Sequence, residues 1–257
     1  MSNKESTSKT IIVALVLCFV CSLVVASAAV LLKDKQNANK ELDRQSNILA
    51  AAGLLSADKS IAEQFEQVTT RVVDLNTGKF TDAVDPKTFD QVKSAKDTSL
   101  SMNLSGAEDL AKISRRENYA MVYLIETNGQ LEKIILPIRG YGLWSTMHGF
   151  LALENDGNTV AGLGFYQHGE TPGLGGEIDN PTWKSLWPGK TVYKDGDVEI
   201  ALIKGSVDPK STNADYQVDG LAGATLTSRG VTNLVHFWLG EMGFKKFLSN
   251  LQAGEAG

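Results

Sequence analysis

The chain has 257 residues and a formal net charge of −5, with 42% apolar and 21% charged residues. That length holds one large domain or two small ones, and the acidic balance excludes the global basic field that gathers nucleic acid. The only cysteines, Cys18 and Cys21, sit in an N-terminal apolar run. The remainder therefore has no disulfide, no cysteine-ligated zinc and no thiol nucleophile.

Ile11 to Leu32 carries no charge, proline or glycine and is bracketed by Lys9 and Lys33. As a helix it would measure about 33 Å, enough to span a bilayer. Ala26-Ser27-Ala28 offers a cleavage site, but the apolar core of a signal peptide is usually about 7–15 residues, shorter than this run. Bulky Leu17 and Val20 before the cysteines do not suit a lipoprotein signal. The reading is a retained single-span anchor over residues 1–33, with the lipid bilayer as partner. Lys4 and Lys9 on one side face Lys33, Lys35, Lys40 and Arg44 on the other, so charge alone leaves the orientation open. Cys18 and Cys21 read as small packing residues of the span; a metal site shared with a neighbouring membrane subunit is the alternative.

Residues 34–118 read as a stalk and helical region. Asp34 to Ala52 is polar, without proline or glycine, and breaks at Gly53. Ser60 to Leu75 places Ile61, Phe65, Val68, Val72 and Val73 at helix-like spacing. From Asn76 to Gly106 the chain is polar and turn-rich.

Residues 119–257 carry the core signal. Met121–Glu126 and Leu131–Ile138 flank Asn128-Gly129, a strong hairpin turn. Leu151–Glu154 and Thr159–Gln167 repeat the pattern around Asn155-Asp156-Gly157, and a third pair runs through Thr191–Tyr193 and Val198–Lys204 around Asp195-Gly196. Successive hairpins with helices before and after predict an α+β domain of mostly antiparallel sheet. The last element, Gly230 to Leu251, places Val231, Leu234, Val235, Trp238, Leu239 and Met242 on one helical face.

His148, His168 and His236 form no HxH or HExxH pattern, and GxSxG, GxxxxGK[ST] and GxGxxG are all absent. Three segments remain. Gly140-Tyr-Gly-Leu-Trp-Ser145 and Gln167-His-Gly-Glu-Thr-Pro-Gly-Leu-Gly-Gly176 each follow a strand. They are tight turns, or they cover a flat aromatic cofactor, with Trp144 and Leu174 on ring faces and loop N–H groups with Thr171 at the polar edge. The third, Asp219-Gly-Leu-Ala-Gly-Ala-Thr-Leu-Thr-Ser228, reads as a helix start with a hydroxyl cap, or as an attachment point for an anionic cofactor at a helix N-terminus.

Together these segments resemble the C-subunit family of the sodium-translocating NADH:quinone oxidoreductase, related to the G subunit of the Rnf electron-transport complex. The resemblance covers nearly the whole chain and implies an FMN-binding domain. In that family FMN is joined through its phosphate to a threonine, in a pattern of aspartate, two spacers, then Ser/Thr-Gly-Ala-Thr. Carried over, Asp219 leads, Gly223 and Ala224 precede the acceptor, and Thr225 bears the FMN. Ala222 departs from the pattern, removing a hydroxyl beside the acceptor. Trp144, Glu170, Thr171, Gly173, Leu174, Gly175, Gly223, Ala224 and Thr227 are the expected cofactor contacts. Thr227 and Ser228 stand for phosphate hydrogen bonds or the helix cap, and Thr227 is the alternative attachment residue.

The resemblance further implies a flavin transferase acting with FAD and a divalent metal, and the other subunits of the complex as partners. It implies a soluble domain on the periplasmic side of the bacterial inner membrane, relaying electrons between NADH oxidation and quinone reduction coupled to sodium export. The rival readings are a membrane-tethered assembly module without cofactor, and a stand-alone periplasmic flavoenzyme with Glu170 as its best candidate acid.

Overall fold

The structure, a computed structural model, describes residues 6–257, so Lys4 of the charge count lies outside them. It divides into two compact units, one ending at Arg44 and the other running from Gln45 to Gly257. Helix α1 is continuous from Thr7 to Ala51. Its best 18-residue window has a mean hydropathy of 2.9, and among the described residues it alone is long and apolar enough to cross a membrane. Cys18 and Cys21 are exposed on it. With no proline or glycine to interrupt the backbone ladder, the apolar and polar halves form one helix. It ends at Gly53, whose φ of 70° is the left-handed conformation that terminates helices.

The second unit continues with α2 (Ile61–Phe65), β1 (Val68–Asp74) and β2 (Lys79–Phe80). These replace the helix expected over Ser60–Leu75. A capping box between Ser60 and Glu63 starts α2, but the β-branched run Val68-Thr69-Thr70 with Val72 and Val73 favours a pleated strand once a partner is present. That partner is distant in sequence. After α3 (Gln91–Ser94) and the antiparallel pair β3 (Ser101–Asn103) and β4 (Arg115–Glu117) come β5 (Tyr119–Thr127), β6 (Gln130–Tyr141), β7 (Thr146–Glu154) and β8 (Val160–Gln167). The main sheet has the order β2-β1-β5-β6-β7-β8, antiparallel throughout. Two strands of the region set apart as helical thus belong to the central sheet, and the compact unit begins at Gln45 rather than at 119.

The β5–β6 turn is the two-residue hairpin that Asn128-Gly129 predicts, with φ of 55° and 76°. Paired positive φ values match the twist of the strands they join. Beyond β8 lie a 3₁₀ turn (Gly175–Asp179), α4 (Pro181–Lys184) and the hairpin of β9 (Tyr193–Lys194) and β10 (Asp197–Val198) around Asp195-Gly196. β11 (Ala201–Ile203) pairs in parallel with β12 (Gln217–Asp219). The chain closes with α5 (Thr225–Leu239) and α6 (Lys245–Ala253). The single last helix expected from Gly230 to Leu251 is therefore two helices. At the break a Cβ on Gly243 would lie 2.1 Å from the Trp238 carbonyl oxygen, and that carbonyl accepts the Phe244 N–H at 2.6 Å.

The sheet is buried on both faces. Along β5, Ala120, Val122 and Leu124 join the larger cluster, with Val231, Leu234, Val235 and Trp238 of α5 and Phe247 of α6. The alternate residues Met121, Tyr123 and Ile125 join a second cluster with Phe150 and with Ile48, Leu49, Ala51 and Ala52 at the end of α1. Period-two alternation sorts one strand between two cores. Each large side chain so buried contributes about 1.5–3 kcal/mol before the entropy of ordering it. Contact at the α1 end is close enough to need glycine, since a Cβ on Gly162 would lie 2.2 Å from the Ala51 carbonyl oxygen.

Candidate functional site

The three segments singled out by sequence meet at one corner of the sheet. Glu170 brings them together. Its carboxylate, 5% exposed, accepts the N–H of Leu143 at 3.1 and 3.2 Å, of Trp144 at 3.0 Å and of Ser145 at 3.4 Å. The Thr227 hydroxyl donates to the same carboxylate at 2.7 Å. One side chain after β8 thus ties the β6–β7 turn to the first turn of α5. Small neighbours make room for it. A Cβ on Gly142 would lie 2.5 Å from Glu170 Oε1, and one on Gly175 would lie 2.5 Å from Thr227 Oγ1.

Burial pushes the Glu170 pKa up, but the hydrogen bonds from Thr227, Trp144, Leu143 and Ser145 outweigh it and hold the carboxyl below its ordinary value. Hydrogen bonds that serve the charged form stabilise it. Next to it, His168 Nδ1 accepts the Glu170 N–H at 3.2 Å, which leaves Nε2 as the protonated nitrogen facing Asp179 at 2.7 Å. Ser145 Oγ accepts the Gly169 N–H at 2.6 Å and closes the contact between the two loops.

One expectation, the hydroxyl cap of α5, is corrected here. Glu170 and Thr227, expected as cofactor contacts, are both buried and hydrogen-bonded to each other. The bound carboxylate also lacks the open proton position that an acid acting on a substrate needs. Neither Thr227 nor Ser228 caps α5. Ser228 donates to the Ala224 carbonyl at 3.1 Å and accepts the Leu221 N–H at 3.0 Å, fixing the turn that precedes the helix.

Thr225 is the first residue of α5 and is exposed. The cap position is Ala224, and no side chain caps this helix. Its first-turn N–H groups and positive dipole end remain available to an incoming anion. Asp219 shapes the approach: Oδ1 accepts the Val207 N–H at 2.8 Å and the carbonyl accepts the Trp183 indole N–H at 2.9 Å. Ala222 and Gly223 are exposed, and Gly223 has a φ of 71° that favours glycine. A Cβ there would stand 3.0 Å from Leu174 Cδ2, so Leu174 overhangs the turn before Thr225. Thr171 and Gly173 are exposed in the same loop. The Thr171 carbonyl accepts the N–H groups of Leu174 and Gly176 at 3.1 and 2.9 Å.

The surface around this turn is unusually apolar. Trp144 is 65% exposed, Leu226 52% and Leu174 43%. Large exposed apolar side chains grouped on a surface mark a place for a ligand or a partner. An exposed hydroxyl at an uncapped helix start, beside such side chains, suits a cofactor with an aromatic ring and a phosphate. A cavity of about 580 Å³ also opens at Thr225, lined on its other sides by Lys204, Asp219 and Arg229. Sequence reading missed Lys204 and Arg229. Arg229 stands one helical turn beyond Thr225 and was legible from that spacing alone. Lys204 was not, because only the pairing of Ile203 with Asp219 brings it near.

Residues 142–240 match the family model of the FMN-binding domain. The chain is 60% identical to the C subunit of the Na+-translocating NADH-quinone reductase of Pseudomonas aeruginosa over the full length of both. It is 48% identical to the protein of that name from Yersinia pestis, over 98% of this chain and 96% of the other. Among solved structures, NqrC of Shewanella oneidensis superposes with a TM-score of 0.77 at 35% identity, over 84% of this chain and 99% of that one. The C subunit from Parabacteroides distasonis gives 0.66 at 28% identity, over 85% and 97%. These likenesses agree with the α+β architecture of one long apolar helix followed by a mainly antiparallel sheet.

Proposed function

The chain belongs to the C-subunit family of the Na+-translocating NADH-quinone reductases, and from that membership we propose that it is the electron-relay subunit of such a complex, carrying FMN bound covalently at Thr225. The observation that carries this reading is the exposed Thr225 at the uncapped start of α5, two residues after Gly223, over which Leu174 hangs, and next to the exposed Leu226. Thr225 would hold the phosphate as an ester. Trp144 and Leu174 would cover the ring, while Thr171 and the backbone of Gly173, Gly223 and Ala224 border it.

Attachment requires a flavin transferase that presents FAD with a divalent metal. The Thr225 Oγ–P bond forms, the pyrophosphate bond of FAD breaks, AMP leaves and the hydroxyl proton is released. Residues Ala222, Gly223 and Ala224 present little bulk, so the hydroxyl can enter a second protein's active site. Once bound, FMN supplies one-electron transfer between neighbouring carriers. This chain's own residues fix its position, exclude water from one ring face and leave an edge open. The absence of a capping side chain suits a helix end that receives a phosphate instead.

The family further supports an inner-membrane location with α1 as the single span, the soluble domain on the periplasmic side, and a role in coupling NADH oxidation and quinone reduction to sodium export. Binding of NADH and quinone is left to partner subunits. The test is the intact mass of the chain produced together with its transferase. It should rise by the mass of FMN minus water, with the label on the peptide holding Thr225. An unmodified mass from native membranes would instead favour the assembly-module reading.

A further inference from the structure

The cavity between β11 and α5 lies on the face of α5 opposite to Thr227, and it does not take part in the Glu170 clasp. It encloses about 580 Å³, and its polar lining includes Lys204, Ser206, Asp219, Thr225, Arg229 and Thr232. Thr225, Arg229 and Thr232 follow the spacing that places residues on one helical face. Lys204 enters from the end of β11, which the parallel pairing of Ile203 with Asp219 holds against the segment leading to Thr225.

The charges in this cavity do not balance. Lys204, Arg229 and Asp219 are its charged side chains. Among the described residues neither Lys204 nor Arg229 makes an ion pair or side-chain hydrogen bond, and both are exposed. Asp219 already accepts the Val207 N–H at 2.8 Å, and the Thr232 hydroxyl accepts the Leu202 N–H at 3.0 Å. Two cations around one carboxylate leave a single positive charge beside the Thr225 hydroxyl. A phosphodiester carries a single negative charge.

We infer that this cavity is the phosphate pocket of the attachment site, in which Arg229 and Lys204 pair with the diester that joins Thr225 to its flavin. The inference rests on the reading of Thr225 given above. The planar guanidinium fork of Arg229 suits the two free oxygens of a diester, and Lys204 adds a point charge from the opposite wall. The cofactor is then divided between two surroundings: its phosphate lies among basic groups on one face of α5, and its ring lies over the apolar rim of Leu174 and Trp144. Covalent attachment prevents loss of the cofactor, and the ion pairs restrict its swing about the ester bond.

The experiment is phosphorus NMR of the flavinylated full-length chain in detergent, compared with the flavin-bearing peptide released from it by proteolysis. The wild-type diester resonance should be displaced from that of the peptide. Arg229→Gln combined with Lys204→Gln should return it to the peptide's position, whereas Arg229→Lys should keep most of the displacement. The flavin midpoint potential should fall in the double variant, because two positive charges that favour the reduced cofactor are lost. Both side chains are exposed, and unchanged melting of the variants would show that the fold is intact. A wild-type resonance that coincides with the peptide's, or a double variant that keeps both displacement and potential, would overturn the pocket while leaving Thr225 as the attachment residue. A wild-type chain without flavin on Thr225 would overturn the attachment reading and the pocket with it.

Discussion

The two faces of α5 begin with the same chemistry and put it to opposite uses. Thr225 and Thr227 are both threonines in the first turn, two positions apart, and therefore project about 200° from one another around the helix. Thr227, 1% exposed, turns inward and donates to Glu170. Thr225 is exposed and opens on the cavity that holds Arg229. One hydroxyl is tied into the fold; the other faces the open cavity. What separates them is what each face meets, a buried carboxylate on one side and a cavity with one net positive charge on the other.

Exchanging the roles should fail in a graded way. The largest effect belongs to Thr225→Ala, which should remove the whole covalent flavin mass with little change in melting temperature, while Thr227→Ala should retain the flavin; mass spectrometry reads both. A Thr225→Ala chain that still carries flavin on its peptide would erase the distinction between the faces. Next is Glu170→Ala, which leaves three loop N–H groups and the Thr227 hydroxyl without their shared acceptor. A loss of about 2–3 kcal/mol is expected, seen as a fall in melting temperature of about 5–10 °C.

Acid should act on the same clasp. The folded-state pKa of Glu170 is depressed, so its stabilisation is complete above the unfolded carboxylate value, about 4.3. It is lost as pH falls below that value and through the folded one. Melting curves at descending pH should therefore converge for wild type and Glu170→Ala, and parallel curves would show that the carboxylate does not carry the difference. Gly175→Ala should cost about 1–3 kcal/mol by pressing a methyl group against Thr227 Oγ1. The smallest effect is expected from Ala222→Ser, an exposed change within about 0.5 kcal/mol. If it alters anything, it should be the rate of flavinylation in a timed transferase assay.

Local patterns were legible in the sequence wherever the signal lay within a few residues. Asn128-Gly129 fixed a hairpin because its positive φ values are a local property. The unbroken α1 followed from the lack of proline and glycine. Ser60–Leu75 misled because Val68, Val72 and Val73 suit a helix and a strand alike. The deciding partner, β5, lies about fifty residues on, where Val68 pairs with Ile125 and Asp74 with Tyr119. The break after α5 was hidden for a similar reason, since apolar spacing continues through Met242 while Gly243 packs against the backbone of Trp238.

At the site, the three segments could be found but not how they interlock. Glu170 was singled out as an acid or a flavin contact, yet its role depends on N–H groups of a turn 25 to 27 residues earlier and on a hydroxyl 57 residues later. Such a carboxylate looks the same in sequence whether it faces solvent, substrate or backbone. The resemblance favoured Thr225 over Thr227, but only the helix start at Thr225 sets the face each one occupies.

The seat of Ala51 against Gly162 has a consequence for how this protein can be cut. Ile48, Leu49, Ala51 and Ala52 are all 2% exposed or less and complete the second apolar cluster. The last turns of the long helix are therefore part of the globular unit, although they are continuous with the apolar span. A protease or a shortened gene that removes everything up to Arg44 should release a soluble body with its sheet covered. A cut only eight residues later, after Ala52, would strip that cover from Tyr123, Ile135 and Phe150. The released piece would then present a sticky apolar sheet face and should aggregate.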